Sequence, residues 1–150
     1  MGTEAPRRED APTTGRGHRL LAHTADWALE AWGPTRAACL EEAVLALVDC
    51  FADTSLAAAP QPVPVTLDAA PDPDLLVTLL EEVIYTTEVL GVVPVTVELA
   101  DTDDGGVAGS FEAVPVEAVE ITGSPPKGVS HQVTFDRDRA TWRCQVLIDV

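Results

Sequence analysis

The sequence predicts an α+β fold: a mostly antiparallel sheet with two helices packed on one face, in a single domain. Two segments repeat apolar residues at the 3–4-residue spacing of an amphipathic helix. Six or seven shorter segments are extended or alternate in polarity, and several of them follow one another at the C-terminal end. A chain of 150 residues is long enough to bury one core of this kind.

The N-terminal segment, residues 1–17, is polar and carries two prolines without apolar periodicity. We expect a disordered tail there and a domain over residues 18–150. The domain is predicted to open with short strands at His18–Leu21 and Trp27–Trp32. No signal segment is evident, and no run approaches the ~18–20 apolar residues that span a bilayer, so we expect no membrane association.

Both helices show recognisable ends. The first is predicted over Thr35–Ala52, with Thr35 capping the free amides of the first turn. The second is predicted to start with Asp72 as N-cap and Pro73 at the first helical position. It ends near Gly91, a residue suited to a helix C-terminus.

The remaining segments read as strands and turns. Proline residues early in the segment Val63–Asp68 predict an edge strand. The other extended segments are Val92–Leu99, Ser110–Ile121 with a break at Pro115, and a hairpin of Val129–Phe135 with Thr141–Ile148.

The net charge of −16 is unevenly distributed. Between Ala37 and Pro126 there is no Lys or Arg, whereas 17 of the 25 acidic residues lie there. Such a surface repels phosphate backbones, so we expect no stable nucleic-acid binding and favour a cation or a basic protein as partner. A lineage whose proteins are generally rich in acidic residues would account for the charge equally well, without any specific partner.

The three cysteines are Cys39, Cys50 and Cys144. Their odd number and the lack of a CxxC pair argue against a disulfide framework or a thiolate zinc site. On one helix, Cys39 and Cys50 would lie ~16 Å apart along the axis, beyond the ~7 Å limit between Cα atoms for a disulfide. We therefore expect buried, reduced thiols and a cytoplasmic location.

Two carboxylates stand at strand edges near opposite ends of the chain. Asp26 precedes the second strand, and Asp149 closes the last one beside the α-carboxylate of Val150. If those strands are neighbours, three anionic oxygen groups converge, which suits Ca²⁺ or Mg²⁺. His23 could then be a ligand or could orient Asp26. From spacing alone, the simpler interpretation of a turn aspartate, a turn histidine and a solvated chain end is preferred.

Three other features bear on function. Asp101 to Glu112 nearly fits an EF-hand calcium loop, but its flanks look like strands rather than helices, which favours a hairpin turn. Lys127 is the only lysine and lies in a Pro-Pro-Lys-Gly loop. A metal-dependent hydrolase using His23 and Asp26 is an alternative function, although familiar enzyme motifs are missing.

Four segments together resemble the archease family. They are His23–Asp26 (HTAD), Leu79–Tyr85 (LLEEVIY), Lys127–Gln132 (KGVSHQ) and the ending Trp142–Val150 (WRCQVLIDV). The first precedes an apolar strand, Gly33 and a Thr-capped helix, as in that family. The resemblance covers residues 18–150.

The resemblance implies a small, non-enzymatic α+β protein that binds a divalent metal, calcium. Archeases act as cofactors of RtcB-type RNA ligases, promoting guanylylation and multiple turnover in tRNA splicing and RNA repair. The family's metal ligands fall on Asp26 and Asp149, with the carboxylate of Val150 available, and its functional lysine falls on Lys127. His131 and Gln132 replace an aromatic residue and a histidine, and Ala108–Phe111 poorly matches an acidic-Gly segment. The roles of those positions are not carried over.

Overall fold

The computed structural model of the chain describes residues 15–23 and 26–150, except for the side chains of His23 and His131. Residues 1–14 of the predicted tail lie outside the described residues. The described part consists of the strands and helices β1 Gly17–His23, β2 Asp26–Gly33, α1 Arg36–Asp49, β3 Ala52–Asp53, β4 Gln61–Leu67, α2 Asp72–Glu88, β5 Val92–Asp101, β6 Val107–Pro115, β7 Glu120–Ile121, β8 Gly128–Asp138 and β9 Thr141–Asp149. This arrangement is α+β, as predicted.

The strands divide into three antiparallel sheets, whereas one sheet was predicted. The largest has the order β1-β2-β9-β8, the second the order β4-β6-β5, and the third pairs β3 with β7. The edges of the second sheet are unsuited to merging with the first. In β4, Pro62 and Pro64 lack amide hydrogens, which prevents further pairing. On β5, the amide of Leu99 donates to Glu41 Oε2 of α1 at 2.8 Å.

Helix α1 lies between strands of two sheets. It contacts β1, β2 and β9 on one side and β5 on the other. The predicted apolar stripe is buried, and Ala38, Cys39 and Ala46 on its other sides are buried as well. Of these, Cys39 faces the four-stranded sheet, where its thiol donates to the Ala31 carbonyl oxygen of β2 at 3.5 Å. Thr35 is the predicted N-cap, since its hydroxyl accepts from the amide of Ala38 at 3.0 Å.

Helix α2 starts one residue away from the predicted position. Its N-cap is Pro71, which makes no side-chain cap bond, and Asp72 is the first helical residue. The Asp72 carboxylate accepts instead from Arg36 Nη1 at 3.0 Å. The capping prediction was wrong because the ion pair with α1 competes for the same oxygen. The apolar face, from Leu75 to Ile84, is buried as predicted.

The cysteines are free and buried, as predicted. Burial raises the pKa of Cys50 to about 12. A hydrogen bond with Cys39 and burial raise the pKa of Cys144 well above its ordinary value. Because the thiolate is the reactive form, both thiols are held in their inert state. No helix among the described residues is long and apolar enough to cross a membrane.

The His18 side chain forms a bridge between the edge strand β1 and helix α1. His18 Nδ1 lies 2.7 Å from Glu42 Oε1, and its Nε2 lies 2.9 Å from Asp49 Oδ2. Arg16 donates to the carboxylates of Glu41 and Glu42 beside it. The hydrogen bond to Asp49, followed by that to Glu42, raises the pKa of His18 against the opposing effect of burial.

We expect this bridge to make stability depend on pH. The folded-state pKa of His18 is raised, so its contribution is complete below the unfolded value of about 6.5 and is lost as pH rises through the folded value. The free energy of unfolding of the wild type should therefore fall more between pH ~6 and ~9 than that of His18→Gln. Urea titrations at each pH measure the difference, and parallel pH profiles would contradict it.

Candidate metal centre

The candidate site lies at one end of the four-stranded sheet, where β2 and β9 run side by side. Trp27 pairs with Ile148 at the last recorded position of this ladder. Continued by one step, the same register would set Asp26 opposite Asp149, although the two residues are not themselves paired. Residues directly opposite one another on antiparallel strands have Cβ atoms about 5 Å apart. The condition on which the sequence-based site depended, that these strands are neighbours, is therefore met, and a shared ion there stays a prediction.

The alternation of side chains determines which face of the sheet the two aspartates occupy. Leu29, Val146 and Ile148 are fully buried and belong to the set that faces the core. Asp26 and Asp149 belong to the alternate set, on the face turned away from the helices. Asp149 is exposed and Asp26 half-buried. An ion between them would keep access to water, which completes the shells of Ca²⁺ and Mg²⁺.

The chain end and the single lysine adjoin this position. The Lys127 amide donates to the Asp149 carbonyl oxygen at 2.7 Å, and Gly128 pairs with Asp149 across β8 and β9. The Val150 side chain, next to Asp149 in the chain, packs against the core. The Lys127 side chain is exposed. The four predicted site residues with described side chains thus lie together at one sheet end.

His23 is the fifth predicted site residue. Its main chain pairs with Asp26 between β1 and β2, so it stands in the same row across the sheet. Thr24 and Ala25, the middle of the HTAD motif, lie outside the described residues, as does the His23 ring. The supporting role of His23 stays a prediction.

The donor chemistry suits a hard cation. Asp26, Asp149 and the Val150 α-carboxylate offer only oxygen, the ligand that Ca²⁺ and Mg²⁺ prefer over the nitrogen and sulfur favoured by zinc. Among the described side chains, no group of three or more His, Cys, Asp and Glu is arranged to hold a metal. A site here therefore depends on two side chains, one main-chain carboxylate and water.

The turn between β5 and β6 is not an EF-hand, because strands flank it on both sides. Two of its carboxylates are also engaged within the protein. Asp101 accepts from Arg36 Nη2 at 2.9 Å, and Asp104 accepts from the Thr102 hydroxyl and the Gly106 amide. Arg36 additionally donates to the carbonyl oxygens of Gly105 and Gly106. The turn is a hairpin tied to α1, as the strand-like flanks predicted.

Two residues that were not predicted to matter, Gly128 and Arg36, make contacts that support the site or the fold. Gly128 pairs directly with Asp149, and its position after the only lysine was a usable signal. Arg36 joins α1, α2 and the β5–β6 turn. Its position as the last basic residue before a long stretch without Lys or Arg could have marked it.

The fold and the open sheet end define a small α+β protein whose candidate site presents carboxylates to a cation. The chain belongs to the archease family, whose family model, the Archease protein family, matches residues 18–150. It is 43% identical over 140 residues to the "Probable protein archease" of two Mycobacterium tuberculosis strains, covering 93% of this chain and 78% of theirs. The predicted family is thereby confirmed.

Two solved structures share the fold. The solution structure of Methanobacterium thermoautotrophicum protein 1598 matches with a TM-score of 0.67 and 23% identity, over 89% of this chain and 99% of that one. The crystal structure of a Thermotoga maritima protein, described as an archease and possible chaperone, matches with a TM-score of 0.63 and 18% identity. That match covers 88% of this chain and 96% of the other.

Family membership also decides whether the chain is an enzyme. Archeases are non-catalytic proteins, so the prediction of no enzymatic activity is confirmed. The alternative of a metal-dependent hydrolase using His23 and Asp26 gains no support from the family match or from the two solved structures.

Proposed function

We propose that this chain is a metal-binding cofactor of an RtcB-type RNA ligase, promoting ligase guanylylation and multiple turnover in tRNA splicing or RNA repair. The observation that supports the proposal is the pairing of β2 with β9, whose register, continued by one step, would set Asp26 opposite Asp149, the residue that Lys127 contacts. The resident cation is calcium. Three buried cysteines without a disulfide support a cytoplasmic location.

The residues at this end of the sheet have two separate roles. Asp26, Asp149 and the Val150 α-carboxylate hold the cation, which when bound supplies the positive charge that offsets their mutual repulsion. Lys127 presents an exposed ammonium beside them. A lysine ammonium is a compact charge that binds phosphate oxygens, so Lys127 is placed to contact a phosphate or carboxylate at the ligase nucleotide site.

Charge favours a protein partner over RNA. A net charge of −16 repels a phosphate backbone. The same charge attracts an RNA-processing enzyme, whose surface is basic because it must bind RNA, and complementary charge raises the rate of encounter. The chain therefore acts on the ligase by docking and not by carrying RNA to it.

The direct test is guanylylation of an RtcB-type ligase by GTP, with and without this chain. We expect stimulation by the wild type and a loss of about tenfold or more with Lys127→Met, because a hydrogen bond from a charged group is worth about 1.5–3 kcal/mol. Calcium affinity should not fall, since Lys127 is not a ligand and its ammonium repels a nearby cation.

Arg137→Met is the matched control, because it removes an exposed cation from the far end of β8, the strand that directly follows Lys127. It should stimulate like the wild type. Full stimulation by Lys127→Met would remove Lys127 from the mechanism. No stimulation by the wild type would refute the proposed function.

A further inference from the structure

The C-terminal end of α2 exposes three large apolar side chains. Tyr85 is 50% exposed, Val89 61% and Leu90 52%. Tyr85 and Val89 are four residues apart and therefore neighbours on one helix face, and Leu90 follows directly. The other exposed large apolar residues among those described are scattered: Leu21 lies on β1, Leu56 in the segment between β3 and β4, and Ile121 on β7. We call Tyr85, Val89 and Leu90 the α2 patch.

The surroundings of the α2 patch are acidic. Glu81 and Glu88 are exposed one helical turn before and after Tyr85. The C-terminus of a helix carries a partial negative charge, which a basic residue in the last turn commonly offsets. The last turn of α2 contains no basic residue, so this end of the helix favours a cationic group supplied from outside.

The exposed apolar side chains and their acidic surroundings restrict which kind of partner can cover the α2 patch. A second copy of this chain would place the same glutamates against one another, and like charges in contact oppose association. RNA phosphates meet the same repulsion. The complementary surface belongs to a protein and presents an apolar recess for Tyr85 and Val89, bordered by Lys or Arg side chains that approach Glu81, Glu88 and the helix end.

We propose that the α2 patch docks on a basic, apolar-centred surface of the RNA ligase. The inference rests on the proposed function and adds a second contact to it. The helices pack on the face of the four-stranded sheet opposite to Asp26 and Asp149, so the α2 patch and the candidate metal centre are separate surfaces. Docking through α2 sets the affinity for the ligase, while the sheet end acts on its guanylylation.

The test measures the dissociation constant between fluorescently labelled chain and purified ligase by anisotropy. We expect Tyr85→Ser/Val89→Ser to weaken binding by about tenfold or more, because aromatic and apolar anchors dominate interface energies. Leu56→Ser is the matched control, since it removes a 93% exposed leucine elsewhere and should leave binding unchanged. Thermal unfolding and calcium affinity should stay at wild-type values in both variants.

A charge variant tests the acidic surroundings. Glu81→Gln/Glu88→Gln should reduce the salt dependence of binding, because fewer screened charge pairs remain. An unchanged dissociation constant in Tyr85→Ser/Val89→Ser, with wild-type stimulation by the full chain, would overturn the docking role and leave the proposed function standing. A wild type that neither binds nor stimulates the ligase would overturn both. Self-association or RNA binding lost in Tyr85→Ser/Val89→Ser would assign the α2 patch to another partner and overturn the inference.

Discussion

Asp26→Asn is expected to weaken calcium binding by about 100-fold or more and to abolish stimulation of the ligase. The substitution keeps the shape of the side chain and removes one of three anionic groups at the sheet end. Loss of a residue that merely supports a metal ligand already costs about 10- to 100-fold in affinity, so loss of a ligand should cost at least the upper figure. Isothermal titration with calcium and the guanylylation assay give the two readouts.

The same substitution should have the opposite effect on the cation-free protein. Without a cation, the neighbouring carboxylates of Asp26 and Asp149 repel one another, so Asp26→Asn should leave the chain as stable as the wild type or more so. With calcium at about 100 times the wild-type dissociation constant, the wild type should gain about 2.7 kcal/mol, whereas a variant that binds 100-fold more weakly should gain about 0.4 kcal/mol. Thermal melts with calcium and with chelator measure both effects.

Asp103→Asn is the control, because it removes an exposed carboxylate from the β5–β6 turn. It should bind calcium like the wild type. Calcium binding that survives in Asp26→Asn and disappears in Asp103→Asn would move the site to that turn. Calcium binding unchanged in both variants would refute a site at either place.

Gly109→Ala is expected to destabilise the protein by about 3 kcal/mol or more. Gly109 lies on the central strand β6, opposite Val65 on one side and Leu99 on the other. An added Cβ would overlap the main-chain oxygen of Glu98 and lie 2.9 Å from its carbonyl carbon. Main-chain atoms cannot rotate away as a side chain can, so strands β5 and β6 would have to separate. The midpoint of urea unfolding measures the loss.

Gly128→Ala controls for the general effect of replacing a strand glycine. An added Cβ at Gly128 meets no atom within 4 Å. We expect its free energy of unfolding to match the wild type or to rise slightly, because alanine restricts the unfolded chain. Equal losses of unfolding free energy in both variants would show that the strands accommodate the added Cβ at Gly109 without a specific cost.

The helices were predictable because their signals are local. The apolar spacing from Leu40 to Val48 and the hydroxyl of Thr35 both act within one helix, and both appear in the structure. The first residue of α2 was misjudged because Asp72 pairs with Arg36, which is distant in sequence. The burial of α1 on two sides was missed because an alanine such as Ala38 or Ala46 is compatible with either a buried or an exposed face.

The division of the strands was beyond a single sequence. Alternation shows which residues of a strand share a face but does not identify its neighbours. Pro64 indicated that β4 is an edge strand, yet nothing local indicated that β6 would be its partner. For the same reason, the adjacency of Asp26 and Asp149 could only be stated as a condition. The pairing of β2 with β9 meets that condition, and metal binding there stays a prediction.

The pairing of β2 with β9 has a consequence for folding kinetics. It joins segments from nearly opposite ends of the described chain, so its loop-closure entropy is larger than that of the β8–β9 or β5–β6 hairpin. We expect the local hairpins to form first and the β2–β9 ladder to close late. An ion held across that ladder would bind only after the rate-limiting barrier. It would therefore slow unfolding and leave the folding rate nearly unchanged. The main effect of the bound ion would be a longer lifetime of the folded state.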